Sequence, residues 1–169
     1  MKKILIGFYK MTAKKLPISG RCKFAKWLRA WFGKRIMSSV GFDVNIEKGA
    51  VFSPNCKLGD KSGIGINCEL YGAVYIGKYV NMGPEVVIYT RNHNTSRTDI
   101  IMQKQGYEDE KPVIIEDDVW IGRRVIILPG VVIGKGSVIG AGAVVSRSIP
   151  PFSVAVGNPA KVVKTRADR

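Results

Sequence analysis

At every sixth residue from Val40 the chain presents Val40, Ile46, Phe52, Leu58, Ile64, Leu70, Ile76, Met82 and Ile88, nine large apolar residues without a break. Four positions after each stands a mostly small companion: Val44, Ala50, Cys56, Ser62, Cys68, Val74, Val80, Val86 and Asn92. With about one position in three apolar, such a run arises by chance about once in ten thousand trials or less. The phase lapses after Ile88 and resumes at Ile115, Ile121, Ile127, Ile133, Ile139 and Val145, with companions Val119, Val125, Val131, Ser137, Ala143 and Ile149. Strand alternation places both series on one side of the backbone, so both point inward. A turn must follow each short strand, and glycine recurs there (Gly41, Gly59, Gly65, Gly77, Gly83, Gly122, Gly134, Gly140), as a crowded or positive-φ corner requires. Six is not a multiple of the helical repeat, and glycine is too frequent for a helix. Three units close a triangular coil, and stacked coils pair at about 4.8 Å. The expected fold is all-β, a parallel β-helix.

Composition adds bounds. The 169 residues suit one core. The net charge of +14 is uneven: eleven Lys or Arg fall within residues 1–40, the first acid is Asp43, and the remainder carries 16 bases against 13 acids. The three cysteines, Cys22, Cys56 and Cys68, make neither a disulfide framework nor a zinc pattern, which points to a reducing compartment. The apolar run Ile4 to Phe8 is shorter than a signal-peptide core, and no stretch approaches a membrane span. The expected organisation is a basic amphipathic helical segment at residues 1–39 and a β-helix at 40–166, in a cytoplasmic protein that can sit peripherally at the inner membrane face.

Ile88 and Ile115 are not separated by a multiple of six, so an excursion of about residues 94–112 leaves the coil and returns, with Ile100, Ile101 and Met102 as a candidate anchor. Loops this long without internal regularity are often functional. His93, the only histidine, stands at its root in Tyr89-Thr-Arg-Asn-His-Asn and points outward by alternation. A long loop leaving a rigid scaffold is a common place for catalytic groups.

Ile76-Gly-Lys-Tyr-Val-Asn, Ile133-Gly-Lys-Gly-Ser-Val and Ile139-Gly-Ala-Gly-Ala-Val resemble the units of hexapeptide-repeat acyltransferases. Asp118-Val-Trp-Ile-Gly and the ending Gly157-Asn-Pro-Ala-Lys-Val-Val are similar to the galactoside, maltose and capsule-sugar O-acetyltransferase branch. The resemblance spans about residues 40–166. It implies a left-handed coil, acetyl-coenzyme A as co-substrate with no metal required, and a homotrimer that binds the coenzyme between neighbours. It further implies that His93 is the catalytic base, that Trp120 walls the site, and that Asn67 and Glu85 lie on the acceptor side. Glu85 and Asp118 are the two carboxylates available to orient the histidine. Coenzyme contacts fall at Gly122, Arg123, Ala141, Ser146, Arg147, Lys161 and Lys164, and backbone N–H groups near Gly122 and Arg123 face the developing oxyanion. The implied acceptor is a sugar or lipid-linked saccharide, in capsule, exopolysaccharide or lipopolysaccharide synthesis. A neutral imidazole suits the proton transfer that a sugar hydroxyl requires.

Outward positions in the second block are Trp120, Ile126, Val132, Val138 and Val144, a run that calls for cover by sister subunits. In the basic segment, residues 23–35 place Phe24, Trp27, Leu28, Trp31 and Phe32 on one helical face. Such a face caps the open coil, rests on an anionic membrane surface, or does both, and a polyanionic glycan or its lipid-linked carrier is another partner for its charge. A single histidine excludes a multi-histidine zinc site. Nucleic acid is not an expected partner, because the charge forms a segment apart from a nearly neutral body. A non-catalytic scaffold or a membrane-binding solenoid is the alternative function.

Overall fold

The computed structural model describes residues 2–166. Two helices, α1 (Lys2–Met11) and α2 (Lys23–Ile36), precede seventeen short strands, numbered in chain order, that wind about six turns of a parallel β-solenoid. One face stacks β1 (Ser39–Val40), β4 (Lys57–Leu58), β7 (Val74–Ile76), β10 (Val113–Ile115) and β13 (Val132–Ile133). The second begins with β2 (Asn45–Ile46) and β5 (Gly63–Ile64), then β8 (Asn81–Met82), β11 (Trp120–Ile121), β14 (Val138–Ile139) and β16 (Ser153–Val156). β17 (Lys161–Thr165) closes that face by turning back antiparallel on β16. The third holds β3 (Val51–Phe52), β6 (Glu69–Leu70), β9 (Val87–Ile88), β12 (Ile126–Ile127) and β15 (Val144–Val145).

Each inward series becomes a column. Ile46, Ile64, Met82, Ile121 and Ile139 line the second face, and Phe52, Leu70, Ile88, Ile127 and Val145 the third, all buried. The small companions fill the corners between them. Two of these are polar and satisfied inside: Ser62 donates to Gly77 O at 2.7 Å, and Ser137 to Pro150 O at 2.9 Å. Asn92 departs from the expected series and is exposed, because the chain has already left the coil.

Corner geometry separates the two roles considered for glycine. At Gly59 an added Cβ would lie 2.4 Å from Gly77 O, and at Gly65 2.3 Å from Gly83 O. These glycines are needed because successive coils touch there. The positive-φ residue is a different one: Asp43, Lys61, Asn67, Tyr79, Glu85 and Arg124, each two positions after such a glycine, and Asp118, two after Glu116, have φ between 49° and 61°, while Gly49, Gly130, Gly136 and Gly142 fill the same role at other corners. That conformation turns the corner N–H along the coil axis, where it meets the carbonyl of the coil before. Asn67 N donates to Lys48 O at 2.9 Å, Glu85 N to Ile66 O at 2.7 Å, and Arg124 N to Pro84 O at 3.0 Å. Each bond offsets the steric cost of about 1–2 kcal/mol that a non-glycine residue meets in that region.

α2 seals the first coil through a face turned only partly from the expected one: Phe32 is buried and Leu28 and Trp31 pack against the core as expected. Ala25, Arg29, Phe32, Gly33 and Ile36 are buried, while Phe24 and Trp27 face solvent. Two reasons explain the change. Small residues let the helix approach closely: a Cβ on Gly33 would lie 2.5 Å from Ile46 Cδ1. An open coil also presents carbonyls without a strand to receive them, and a guanidinium supplies the donors. Arg29 is 0% exposed. Its Nε donates to Ile46 O at 2.6 Å, its Nη1 to Pro17 O at 3.0 Å and its Nη2 to the Ser19 hydroxyl at 2.9 Å. Glu47 stands 3.7 Å from Nη2 and neutralises it. α1 is pinned by Tyr9, which donates to Ala50 O at 2.8 Å and packs against Phe52. Among the described residues no helix is long and apolar enough to cross a membrane.

Burial tends to raise the Glu47 pKa, but N–H donors from Ser19, Asn45 and Lys48 outweigh it and hold the group below its ordinary 4.5. A depressed folded pKa stabilises fully above the unfolded value, and that contribution is lost as pH falls through the folded one. Chemical denaturation should therefore show Arg29→Ala costing about 3–5 kcal/mol near neutral pH, since Glu47 and the end carbonyls lose their partner. The gap between wild type and Glu47→Gln should close as pH drops below 4.5.

Candidate active site

Register measures the excursion. Lys57 pairs with Tyr75, eighteen residues on, but Tyr75 pairs with Ile114, so twenty-one extra residues leave the coil between β9 and β10. Their base is stapled. His93 bridges Tyr107 in antiparallel fashion, Asn94 N donates to Gly106 O, and the Asn94 amide donates to Gln105 O and Tyr107 O, both at 3.0 Å. The Gln105 amide ties the loop internally to Arg97 O and Ile100 O. Ile101 and Met102 are exposed, so the anchor expected at residues 100–102 is not the one within this chain; backbone-directed amides do that work.

At this root lies a groove of about 690 Å³. His93 forms part of its wall, its ring 4.1 Å from that of Tyr107. The Arg91 guanidinium also rests on Tyr107, 4.2 Å from the ring centroid. Below His93, Tyr71 and Tyr89 stack nearly parallel, centroids 5.7 Å apart and planes 13° from each other. Tyr71 donates its hydroxyl to Glu69, which pushes its pKa up to about 12. Ser53, Tyr71 and Tyr89 occupy the same place in successive coils, just after Phe52, Leu70 and Ile88. The spacing of eighteen between these tyrosines is legible in the sequence, but only the register shows that they stack beneath His93.

Neither carboxylate considered as the histidine's partner lines this groove. Glu85 binds Arg123 Nη2 at 2.6 Å and Arg124 Nε at 2.5 Å, and those bonds hold its pKa below the ordinary value. Asp118 lies 3.4 Å from Arg166. Both occupy positive-φ corners, where the backbone directs the side chain outward from the coil. The carboxylate in the groove is Glu110, on the returning limb. It accepts from Ala73 N at 2.6 Å and from the Thr90 hydroxyl at 3.0 Å, tying two coils and the loop together.

The remaining candidates divide between two edges of the prism. Gly122, Arg123, Ala141 and Lys161 lie along the edge between the second and third faces. A Cβ on Gly122 would lie 2.6 Å from Ala141 N, Gly142 N donates to Arg123 O, and Lys161 pairs with Val156. Lys164 pairs with Val154 at the start of the same strand. Ser146 and Arg147 follow β15 on the other edge, two coils above Tyr89 and Thr90. Trp120 projects from the second face, over Asn81 and under Val138. Trp120, Asn67 and Glu85 are all absent from the His93 groove. Of the two N–H groups assigned to an oxyanion, that of Gly122 is already given to Ile139 O at 2.8 Å. Among the described residues no group of three or more His, Cys, Asp or Glu is placed to hold a metal ion. Glu110→Ala should free the loop base: limited proteolysis is expected to cut within residues 94–108 faster than in wild type, with the β-rich circular dichroism unchanged.

Residues 112–147 match the family described as Bacterial transferase hexapeptide (six repeats). A maltose O-acetyltransferase structure from Clostridium difficile 630 is 33% identical with a TM-score of 0.80, covering 97% of this chain and 83% of that one. A galactoside acetyltransferase structure in complex with coenzyme A is 34% identical with a TM-score of 0.76, covering 83% of this chain and 71% of that one. A Schizosaccharomyces pombe protein named as an acetyltransferase is 45% identical over 112 residues, 65% of this chain and 53% of that protein. The chain spans about half the length of the curated relatives it matches. Repeat, solenoid and these likenesses agree: the chain belongs to the hexapeptide-repeat acyltransferase family.

Proposed function

We propose that the chain is an O-acetyltransferase that moves the acetyl group of acetyl-coenzyme A onto a sugar hydroxyl, with His93 as general base. The observation that carries this reading is an exposed imidazole at the root of the long loop, on the wall of a groove floored by two stacked tyrosines. Aromatic faces suit the C–H face of a pyranose, and a neutral imidazole suits a hydroxyl proton. His93 takes that proton as the acceptor oxygen attacks the thioester carbonyl. The tetrahedral oxyanion collapses, the carbon–sulfur bond breaks, and the departing thiolate receives the proton from the imidazolium. Because the Gly122 N–H is bonded to Ile139 O, the Arg123 N–H is the backbone donor proposed for the oxyanion. The cysteines favour direct transfer over an acyl-enzyme, because burial pushes the Cys68 thiol up to about 11 and raises that of Cys56 as well.

The reading extends to the assembly. Groups assigned to the donor (Gly122, Arg123, Ala141, Lys161 and Lys164) and Trp120 lie away from the His93 edge, so a second protomer has to bring them to the imidazole. Exposed apolar residues on more than one face, such as Ile114, Trp120 and Ile126, fit contacts between copies. A closed trimer satisfies a heterologous contact of this kind, with the coenzyme between neighbours. Asn67 and Glu85 remain assigned to the acceptor side in that assembly, and Ser146 and Arg147 to the coenzyme. The acceptor is a sugar of a capsule, exopolysaccharide or lipopolysaccharide, and the protein works in the cytoplasm.

His93→Ala should lower the rate of thiol release from acetyl-coenzyme A with a competent acceptor by at least about 100-fold. Retention of more than about a tenth of wild-type turnover removes His93 as the base. Sedimentation should return a mass three times the chain's 18.6 kDa; a monomer sinks the shared site.

A further inference from the structure

We propose that the N-terminal end of the solenoid docks on an anionic bilayer, with apolar edges of α1 and α2 entering the headgroup layer and the lysines around them facing its charge. α2 spends its small residues and Arg29 on sealing the coil, so Phe24 and Trp27 turn outward as a stacked pair with centroids 5.8 Å apart, 62% and 58% exposed. On α1 the buried Tyr9 faces the coil. Ile4, Phe8 and Met11, spaced as one helical row, face solvent with exposures of 65%, 53% and 63%. Five large apolar side chains at one end of a small protein exceed scattered surface hydrophobes.

The charge around them is predominantly positive. Lys10, Lys14, Lys15 and Lys48 rim one hollow of this end, and Lys23, Lys26 and Lys34 surround Trp27 in another. No acid precedes Asp43. Asp43 pairs with Lys26 at 3.5 Å, and Glu47 is committed to Arg29. Apolar residues interleaved with an excess of cations are complementary to anionic lipid, where each cation near the surface strengthens partition roughly fivefold. A nucleic acid would use the cations but leave the Ile4, Phe8 and Met11 row in water. A second copy would bring two strongly basic surfaces together against their repulsion.

The same end opens onto the groove. Ser53, Tyr71 and Tyr89 climb one edge from the first coil toward His93, so a saccharide carried on lipid would span two or three coil spacings, about 10–15 Å, to reach the imidazole. That link rests on the acetyl-transfer reading; the docking does not.

Vesicle flotation with the full chain tests it. The protein should float with phosphatidylcholine vesicles containing about one-third phosphatidylglycerol and remain unbound with phosphatidylcholine alone, and a roughly tenfold rise in salt should release it. Phe8→Asp with Trp27→Asp should lower the bound fraction at least about tenfold while leaving circular dichroism and sedimentation mass unchanged, both side chains being exposed. Equal binding to both vesicle types, or binding to neither, overturns the proposal. So does a double variant that floats like wild type, which would leave charge alone responsible. A double variant of altered mass also overturns it, by showing that another copy covers this face. The assay contains neither acetyl-coenzyme A nor acceptor, so its failure and that of the acetyl-transfer reading are separately visible.

Discussion

Hydrogen bonding from one coil to the next is the constraint on which the rest of the molecule depends. Strand amides pair along the flat faces, and at most corners one residue in the left-handed region turns its N–H onto the carbonyl of the coil before. Continuous bonding fixes the register at eighteen residues and draws successive corners into van der Waals contact. It also explains why Gly59 and Gly65 are demanded where successive coils touch, while Asp, Asn, Lys, Tyr, Glu and Arg, as well as glycine, are accepted at the strained position. A corner side chain points away from the coil, so the strained residue can carry charge at no cost to the core.

A stack of this kind must end, and its first coil has no predecessor to receive its carbonyls. The chain meets that need with one guanidinium rather than with another strand. Arg29 collects carbonyls from the coil and from the segment between the helices, with Glu47 balancing the charge. Choosing the Arg29 face for the seal forces Phe24 and Trp27 outward, while Phe32 stays buried. The capping role and the exposed apolar edge therefore have one cause, and they are not competing uses of one helix face.

Rigid walls also decide where chemistry can be placed. The coil itself offers flat, repetitive surfaces; a recess forms only where twenty-one residues leave one edge and return to it. Glu110 holds that departure to the wall, Asn94 joins its two limbs, and Tyr71 and Tyr89 supply the floor. Of the residues proposed for the coenzyme, Ser146 and Arg147 lie above the His93 edge, and Gly122, Arg123, Ala141 and Lys161 lie along another edge of the prism. That separation is why the proposed activity and the proposed assembly stand together.

Periodicity alone determined the solenoid, the inward columns, the length of the excursion and the exposure of His93, because every unit repeats the same local choice and errors cannot accumulate. The division of the charge was equally legible, since it needs only counting. Three features were decided by tertiary contact. Which face of α2 is buried depends on the carbonyls at the coil end, which no helical periodicity encodes. The partners of Glu85 and Asp118 depend on residues thirty-eight or more positions away that the coil stacks beside them. Glu110 reaches the groove only because the loop returns there. Long-range register sets all three, and a local reading of the residues has no access to it.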